Sequence, residues 1–232
     1  MVGGVIELIQ PFFGRSASWI DMGFNLFGGF IGLVFFAPAR LEISRRILWS
    51  LQIGAVVLAS LIFYGPMTTL WDMHVAARQF PVLSDFETRF EPKRWTAGVI
   101  DTSLAKTGNA SLRVDLDTEK YAGTAMWRSL GDWQDYSTLA LSIYNPDPKP
   151  LVMTITIRDE EHSRRGGEYH DRFNREFTLH QGWNDIRIPI AVIKNAPAER
   201  TMDLSNLTYL VVFTMNLSKN YTIYLDNIHL IP

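Results

Sequence analysis

The apolar positions of the chain follow two different patterns. Up to about residue 66 they form two nearly continuous runs, 19–39 and 47–66, and from residue 82 they alternate with polar positions. About 20 apolar residues suffice for a helix to cross the roughly 30 Å of a bilayer's hydrocarbon core. Trp49 and Tyr64 lie near the ends of the second run, where aromatic rings favour the membrane interface. The first third is therefore predicted to hold two membrane-spanning helices.

The alternating pattern predicts half-buried β-strands separated by Gly, Pro and Asn turn signals. Such strands are expected within 112–116, 139–144, 151–158, 173–179, 186–190 and 221–231. Because no long helical pattern intervenes, residues 83–232 are predicted to form an all-β, antiparallel sandwich, large enough to bury a core without disulfides. In the last strand the alternation changes phase at Asp226 and Asn227, which predicts a β-bulge.

Composition adds a compartment to this picture. The chain has no cysteine, so disulfides and thiolate metal sites are excluded. Its net charge of −2 shows no excess of basic residues of the kind that nucleic-acid-binding proteins have. Three arginines lie in the loop 40–46 between the two runs, which places that loop in the cytoplasm. We expect a multi-pass protein of the cytoplasmic (inner) membrane, with a juxtamembrane stalk at 66–82 and a periplasmic or extracellular β-domain.

The first apolar run carries polar and small residues on one helical stripe, at the spacing i, i+4, i+7 and i+11. These are Asp21, Asn25, Gly28 and Gly32. Polar side chains in a membrane are expected to face other helices or a cavity rather than lipid. Two interpretations stay open, a packing interface and a polar ligand site formed by Glu7, Gln10, Arg15, Asp21 and Asn25.

This arrangement resembles the end of the VanZ-like membrane domain. The matching motif is Gly3-x3-Glu7-x2-Gln10 followed by Arg15-x5-Asp21-x3-Asn25-x2-Gly28-x3-Gly32. The resemblance covers about residues 1–65. It implies a role in the cell envelope, or in glycopeptide resistance through a lipid-linked precursor.

The second part resembles the galactose-binding-like jelly roll of many carbohydrate-binding modules. The resemblance rests on Asp85-Phe-Glu87, Trp95, Gly108-Asn-Ala-Ser111 and the closing Leu225-Asp226-Asn-Ile-x-Leu230. It implies a structural calcium held by Glu87 and Asp226, with backbone carbonyls near Thr107 and Ser111. The alternative is a pair of surface acids without metal.

Most candidate chemistry falls in the connecting loop 159–174. Aromatic rings can cover the apolar side of a sugar while polar groups bind its hydroxyls. The predicted ligand residues are Trp127, Tyr144, Asp159, His162, Tyr169, Asp171, Arg172 and Asn174. Three alternatives remain. The loop could be a solvated charged segment, or His162, His170 and Asp171 could bind a metal. Two of its carboxylates could also act as a glycosidase pair, although the sequence does not indicate which two.

Together these features predict a membrane-anchored, non-catalytic protein that presents a carbohydrate-binding domain at the outer face of the membrane. Its expected partners are the membrane and an envelope or extracellular glycan. Two other functions stay open, a VanZ-like envelope or resistance factor and a structural partner domain in a membrane assembly.

Overall fold

The computed structural model describes residues 19–128 and 130–232. The chain divides into two compact units, Met1–Met67 and Thr68–Pro232. The polar candidates Glu7, Gln10 and Arg15 lie outside the described residues.

Helices occupy the described part of the first unit. Helix α1 is Trp19–Ile31, and it continues into a π-helical segment, Gly32–Phe36, and a 3-10 turn, Pro38–Leu41. Helix α2 is Arg45–Gln79. Among the described residues only α2 is long and apolar enough to cross a membrane, with a mean hydropathy of 2.0 in its most apolar window. The predicted span at 19–39 corresponds to a shorter apolar helix, because the backbone leaves the helical conformation at Ala37, before Pro38.

Helix α2 runs through Pro66 without a break. A proline inside a helix removes one backbone hydrogen bond, and apolar helices of membrane proteins tolerate that loss. The predicted stalk 66–82 therefore begins inside α2. Residues 68–79 are the end of α2 and belong to the second unit.

The second unit is a sandwich of two antiparallel sheets. One sheet has the order β2-β3-β10-β5-β8, with β1 paired to the far half of β10, and the other has the order β4-β9-β6-β7. The strands are β1 Val82–Ser84, β2 Val99–Asp101, β3 Ser111–Leu116, β4 Tyr121–Met126, β5 Thr138–Asn145, β6 Leu151–Asp159, β7 Phe173–Leu179, β8 Gly182–Pro189, β9 Leu207–Met215 and β10 Tyr221–Ile231. The short helices are α3 Glu160–Arg164, α4 Ile190–Lys194 and a 3-10 turn at Glu91–Arg94.

The predicted strands and their buried faces are confirmed. Val114, Ile143 and Ile155 from alternating positions are fully buried in one core between the two sheets. The bulge in β10 is also confirmed, since the pairing with β5 shifts register between Asp226 and His229, and Asn227 has a positive φ of 54°. Period-two patterning thus located the strands that have one buried and one polar face.

A buried ion pair fixes the end of α2 within the second unit. Arg94 is fully buried, and its guanidinium donates to Asp72 on α2, from Nε to Oδ2 at 2.9 Å and from Nη2 to Oδ1 at 2.8 Å. Its Nη1 donates to the backbone carbonyl of Leu83 at 2.9 Å. The arginine therefore joins the helix to β1, and neither charge is left without a partner.

Candidate functional site

The outer face of the four-stranded sheet carries an unusual share of aromatic and apolar side chains. This face is formed by the residues of β4, β9, β6 and β7 whose side chains point away from the core. They are Tyr121, Gly123 and Ala125 on β4; Tyr209, Val211, Phe213 and Met215 on β9; Val152, Thr154, Thr156 and Arg158 on β6; and Asn174, Glu176 and Thr178 on β7.

A cleft of about 430 Å³ opens on this face. The rings of Tyr121 and Phe213 form one wall, with centroids 5.8 Å apart. Gly123 lies opposite Phe213 in the ladder, and a Cβ there would stand 2.2 Å from the carbonyl oxygen of Val212. Only glycine fits this position, so the strand carries no side chain beside the Phe213 ring. Apolar walls of this size with a few polar groups are typical of small-ligand and sugar sites.

Two arginines supply the polar side of the cleft. Arg158 comes from β6 and Arg172 immediately precedes β7, and both line the cleft. The Arg158 guanidinium carbon lies 5.6 Å from the Tyr209 ring centroid, and that of Arg172 lies 5.3 Å from the Tyr169 ring. Burial, followed by the nearby charge of Arg172, lowers the pKa of Arg158. The cleft thus combines aromatic surface with positive charge.

Some predicted ligand residues lie at or beside this cleft. Arg172 lines it, and Trp127 follows β4 at its next outward position, with its side chain 40% exposed and Arg128 stacked 3.9 Å from its ring centroid. Asn174 lies on the same face but is engaged by its neighbours. It accepts a hydrogen bond from Thr156 at 2.6 Å and donates to the Tyr169 carbonyl at 3.2 Å, which positions the exposed Tyr169.

Three other predicted ligand residues take part in a hydrogen-bond network around Arg200. Asp159 and Asp171 both bind Arg200, whose guanidinium donates to Asp159 at 2.5 and 2.8 Å and to Asp171 at 2.6 and 2.8 Å. Asp159 also caps α3 by accepting from the backbone N–H of His162 at 3.0 Å. The His162 Nδ1 lies 3.1 Å from the Asp171 carbonyl oxygen. These residues hold the loop 159–174 in shape.

The pKa values of both aspartates reflect this network. Burial alone would raise the pKa of Asp159, but hydrogen bonds from Arg200 and from the backbone of Asp203 and His162 hold it below its ordinary value. Hydrogen bonds from Arg200 lower the pKa of Asp171 against a smaller effect of burial. Both carboxylates are therefore ionised partners of one guanidinium. In the part of the chain that the structure describes, no three His, Asp or Glu side chains meet as a metal site.

Tyr144 lies on the other sheet. Its ring packs edge-on against Trp183 at 5.3 Å and Tyr224 at 6.0 Å, on strands β8 and β10 of the six-stranded sheet. It therefore does not share a surface with Trp127 or Arg172. The cluster of Tyr144, Trp183 and Tyr224 lies on the other sheet, so a substitution there is a control for substitutions in the cleft.

The predicted calcium residues anchor the loop before β3. Asp226 Oδ2 accepts from the backbone N–H groups of Lys106 and Thr107 at 2.6 and 3.0 Å, and Glu87 Oε1 accepts from that of Asn109 at 2.7 Å. Burial raises the pKa of Asp226, while the hydrogen bonds of Asn109 lower that of Glu87. The loop thus presents N–H donors rather than the oxygen ligands that calcium takes. This arrangement fits a hydrogen-bonded anchor, and calcium binding stays a prediction.

Two of the membrane polar candidates, Asp21 and Asn25, lie one turn apart on α1, and both side chains are exposed. A Cβ added at Gly28 or Gly32 would meet no described atom within 4 Å. The VanZ-like resemblance stays a prediction.

Comparison with known protein families decides what the sandwich is. A family model described as carbohydrate binding domain 30 matches residues 89–232, more than half of the chain. The chain belongs to this family. Residues 89–232 are a carbohydrate-binding module domain with a β-sandwich fold, which confirms the coarse prediction for the second unit. A search of curated proteins found no match to this chain.

The chain is similar to several solved structures at low sequence identity. An exo-β-agarase is 15% identical with a TM-score of 0.52, covering 65% of this chain and 24% of that enzyme. Another similar structure is a family 11 carbohydrate-binding module from Clostridium thermocellum in complex with a β-1,3-1,4-mixed-linked tetrasaccharide. It is 20% identical with a TM-score of 0.49, and the match covers 65% of this chain and 94% of that module. A family 30 carbohydrate-binding module of a cellulosomal cellulase from the same organism is 17% identical with a TM-score of 0.44. The match covers 58% of this chain and 81% of that module.

Sequence reasoning missed the two aromatic residues of the cleft wall and two arginines. Tyr121 and Phe213 lie on β4 and β9, which were not predicted as strands. The available signal was in β9, where Tyr209, Val211 and Phe213 make the outward positions as apolar as the inward ones. Arg158 and Arg200 had no such signal, because their roles depend on partners distant in the chain.

Proposed function

We propose that this carbohydrate-binding module domain binds a glycan chain in the cleft on the outer face of the four-stranded sheet. The observation that carries the proposal is the Tyr121–Phe213 wall in a cleft of about 430 Å³. Aromatic faces cover the apolar side of a sugar ring, and Arg158 and Arg172 can donate hydrogen bonds to its oxygens. Family membership makes a glycan the ligand class to test first.

The same cleft supports a binding role rather than a catalytic one. Hydrolysis of a glycosidic bond uses two carboxyl groups at a defined separation across the sugar. Among the described residues, those that line the cleft include no aspartate or glutamate. We therefore propose that the domain holds its glycan without cleaving it.

The glycan proposal is tested with the full chain in detergent, by affinity electrophoresis through gels that contain single polysaccharides. We expect retardation by at least one polysaccharide in a broad panel that includes neutral, uronate and sulfated polymers. The matched substitutions Tyr121→Ala and Tyr144→Ala then assign the binding face, because each removes one aromatic ring from a different sheet. A folded protein that migrates freely through every gel contradicts the proposal.

We also propose that α2 anchors the domain in the cytoplasmic membrane, with the domain on the outer side. Its 35 residues contain an uncharged apolar stretch at 47–66, and only 6% of its most apolar window is buried within the protein. The arginines of 40–46 favour a cytoplasmic position for the start of α2. Anchoring would keep the bound glycan at the membrane surface.

A further inference from the structure

The two arginines of the cleft lie just beyond the paired part of β6 and β7, Arg158 at the end of β6 and Arg172 immediately before β7. The β6–β7 ladder ends with the pair Ile157 and Phe173, so the next positions are Arg158 and Arg172. Like charges directly opposite each other destabilise a sheet. The fold therefore places two positive charges side by side at one end of the cleft, where they repel each other.

Neither guanidinium is neutralised within the described residues. No aspartate or glutamate there forms an ion pair with Arg158 or Arg172, whereas Arg94 and Arg200 are both paired with aspartates. The Nε atoms of Arg158 and Arg172 are buried, and no described residue offers either of them a hydrogen-bond acceptor. A buried donor without an acceptor costs free energy, and so does an uncompensated charge. A ligand that brings acceptors and negative charge to this point would remove both costs.

We propose that the glycan bound in this cleft is acidic, and that a uronate carboxylate or a sulfate ester of one sugar lies between Arg158 and Arg172. The proposal rests on the proposed function and specifies its substrate class. The arginine fork matches the geometry of a carboxylate or sulfate and can bind it with two parallel hydrogen bonds. The Tyr121–Phe213 wall of the same cleft contacts the ring, so charge and sugar surface are recognised together.

The test compares an acidic polysaccharide with its own neutral form. Titration calorimetry of the full chain in phosphatidylcholine nanodiscs uses fragments of a polyuronate and the same fragments after carboxyl reduction, and likewise a sulfated galactan before and after desulfation. We expect one acidic form to bind about tenfold or more tightly than its neutral counterpart, as charge-assisted hydrogen bonds require. The preference should shrink as salt is raised.

Variants assign the preference to the arginine pair. Arg158→Gln together with Arg172→Gln should abolish the preference for the acidic form and leave the melting temperature unchanged or higher, because the repulsion is gone. Arg187→Gln, which removes an exposed arginine from the other sheet, is the matched control and should leave the preference intact.

Each other outcome overturns the inference in an identifiable way. Equal binding of acidic and neutral forms, with loss on Tyr121→Ala, contradicts acidic recognition but leaves the proposed function standing. Absence of binding by every glycan contradicts both. If phosphatidylglycerol in the nanodisc abolishes glycan binding and the double variant restores it, the arginines bind a lipid phosphate and the inference is wrong.

Discussion

At the scale of single residues, side-chain chemistry identified the important loop but not the task of each residue in it. Asp159, His162 and Asp171 are residue types that bind sugars. Here Asp159 and Asp171 bind Arg200, and the His162 ring contacts the Asp171 carbonyl, so all three help to hold the loop 159–174. Arg200 lies 41 positions after Asp159 in the chain, so no local pattern joins the two residues. The loop also contains the helix α3, which the prediction of a plain connection missed.

We expect Arg200→Gln to destabilise the second unit by about 3 kcal/mol at neutral pH, because it leaves the buried Asp159 carboxylate without its partner. Because Asp159 and Asp171 have lowered pKa values in the folded protein, their stabilisation is full above about pH 4 and is lost as the pH falls below it. The difference between wild type and variant should therefore shrink below pH 4.

Chemical denaturation followed at pH 7 and pH 3 measures this difference. Arg164→Gln is the control, since that arginine pairs with Glu160 on the exposed surface of α3 and should cost less than about 1 kcal/mol. A variant as stable as wild type at pH 7 would mean that the network does not hold the loop.

At the scale of elements, period-two alternation was sufficient wherever one face of a strand is buried and the other is polar. It located β3, β5, β6, β7 and the bulged β10. It failed for β4, whose sequence of Gly, Ala and Thr gives weak contrast, and for β9, which is apolar on both faces. The cleft lies on these two strands. The small residues of β4 and the apolar outer face of β9, which prevented the prediction of these strands, are therefore features of the candidate site.

The end of α2 could not be predicted as part of the second unit, because its anchor is the ion pair of Asp72 with Arg94, 22 positions apart. Asp72→Ala leaves the fully buried Arg94 uncompensated, which costs about 3 kcal/mol or more. For a unit of this size that corresponds to a fall in melting temperature of about 6–12 °C.

Thermal unfolding of the full chain in detergent measures this fall. The double variant Asp72→Leu with Arg94→Met removes both charges and should recover much of the loss, because a buried pair can often be replaced by apolar side chains. If the single variant melts within about 2 °C of wild type, the ion pair does not fix the helix end.

At the scale of the whole molecule, composition separated an apolar first part from a β-rich second part, and the structure divides the chain in the same way. The boundary between the units, at Met67 and Thr68, lies inside α2, because this helix continues through Pro66 into the second unit. A count of apolar residues finds a stretch long enough for a membrane but not the end of the helix that contains it. The residues of the proposed glycan cleft come from distant parts of the chain, so composition does not predict which glycan it binds.

Cysteine labelling tests the proposed topology, since the natural chain has no cysteine to interfere. We expect Ser218→Cys, in the exposed loop between β9 and β10, to react with a membrane-impermeant maleimide. The labelling uses cells from which the layers outside the cytoplasmic membrane have been removed and whose cytoplasmic membrane is intact. Ser44→Cys, just before α2, should react only after the membrane is opened. The reverse pattern, or recovery of the protein in the soluble fraction, would contradict the proposed anchor.

The central claim is that glycan binds on the outer face of the four-stranded sheet, and the most direct test is the affinity of Tyr121→Ala beside that of Tyr144→Ala. Calorimetric titration of both variants with the best polysaccharide of the panel compares the two sheets. The account predicts about tenfold weaker binding for Tyr121→Ala, as expected for a central aromatic contact, and unchanged binding for Tyr144→Ala. Loss of binding in Tyr144→Ala with full affinity in Tyr121→Ala would contradict it.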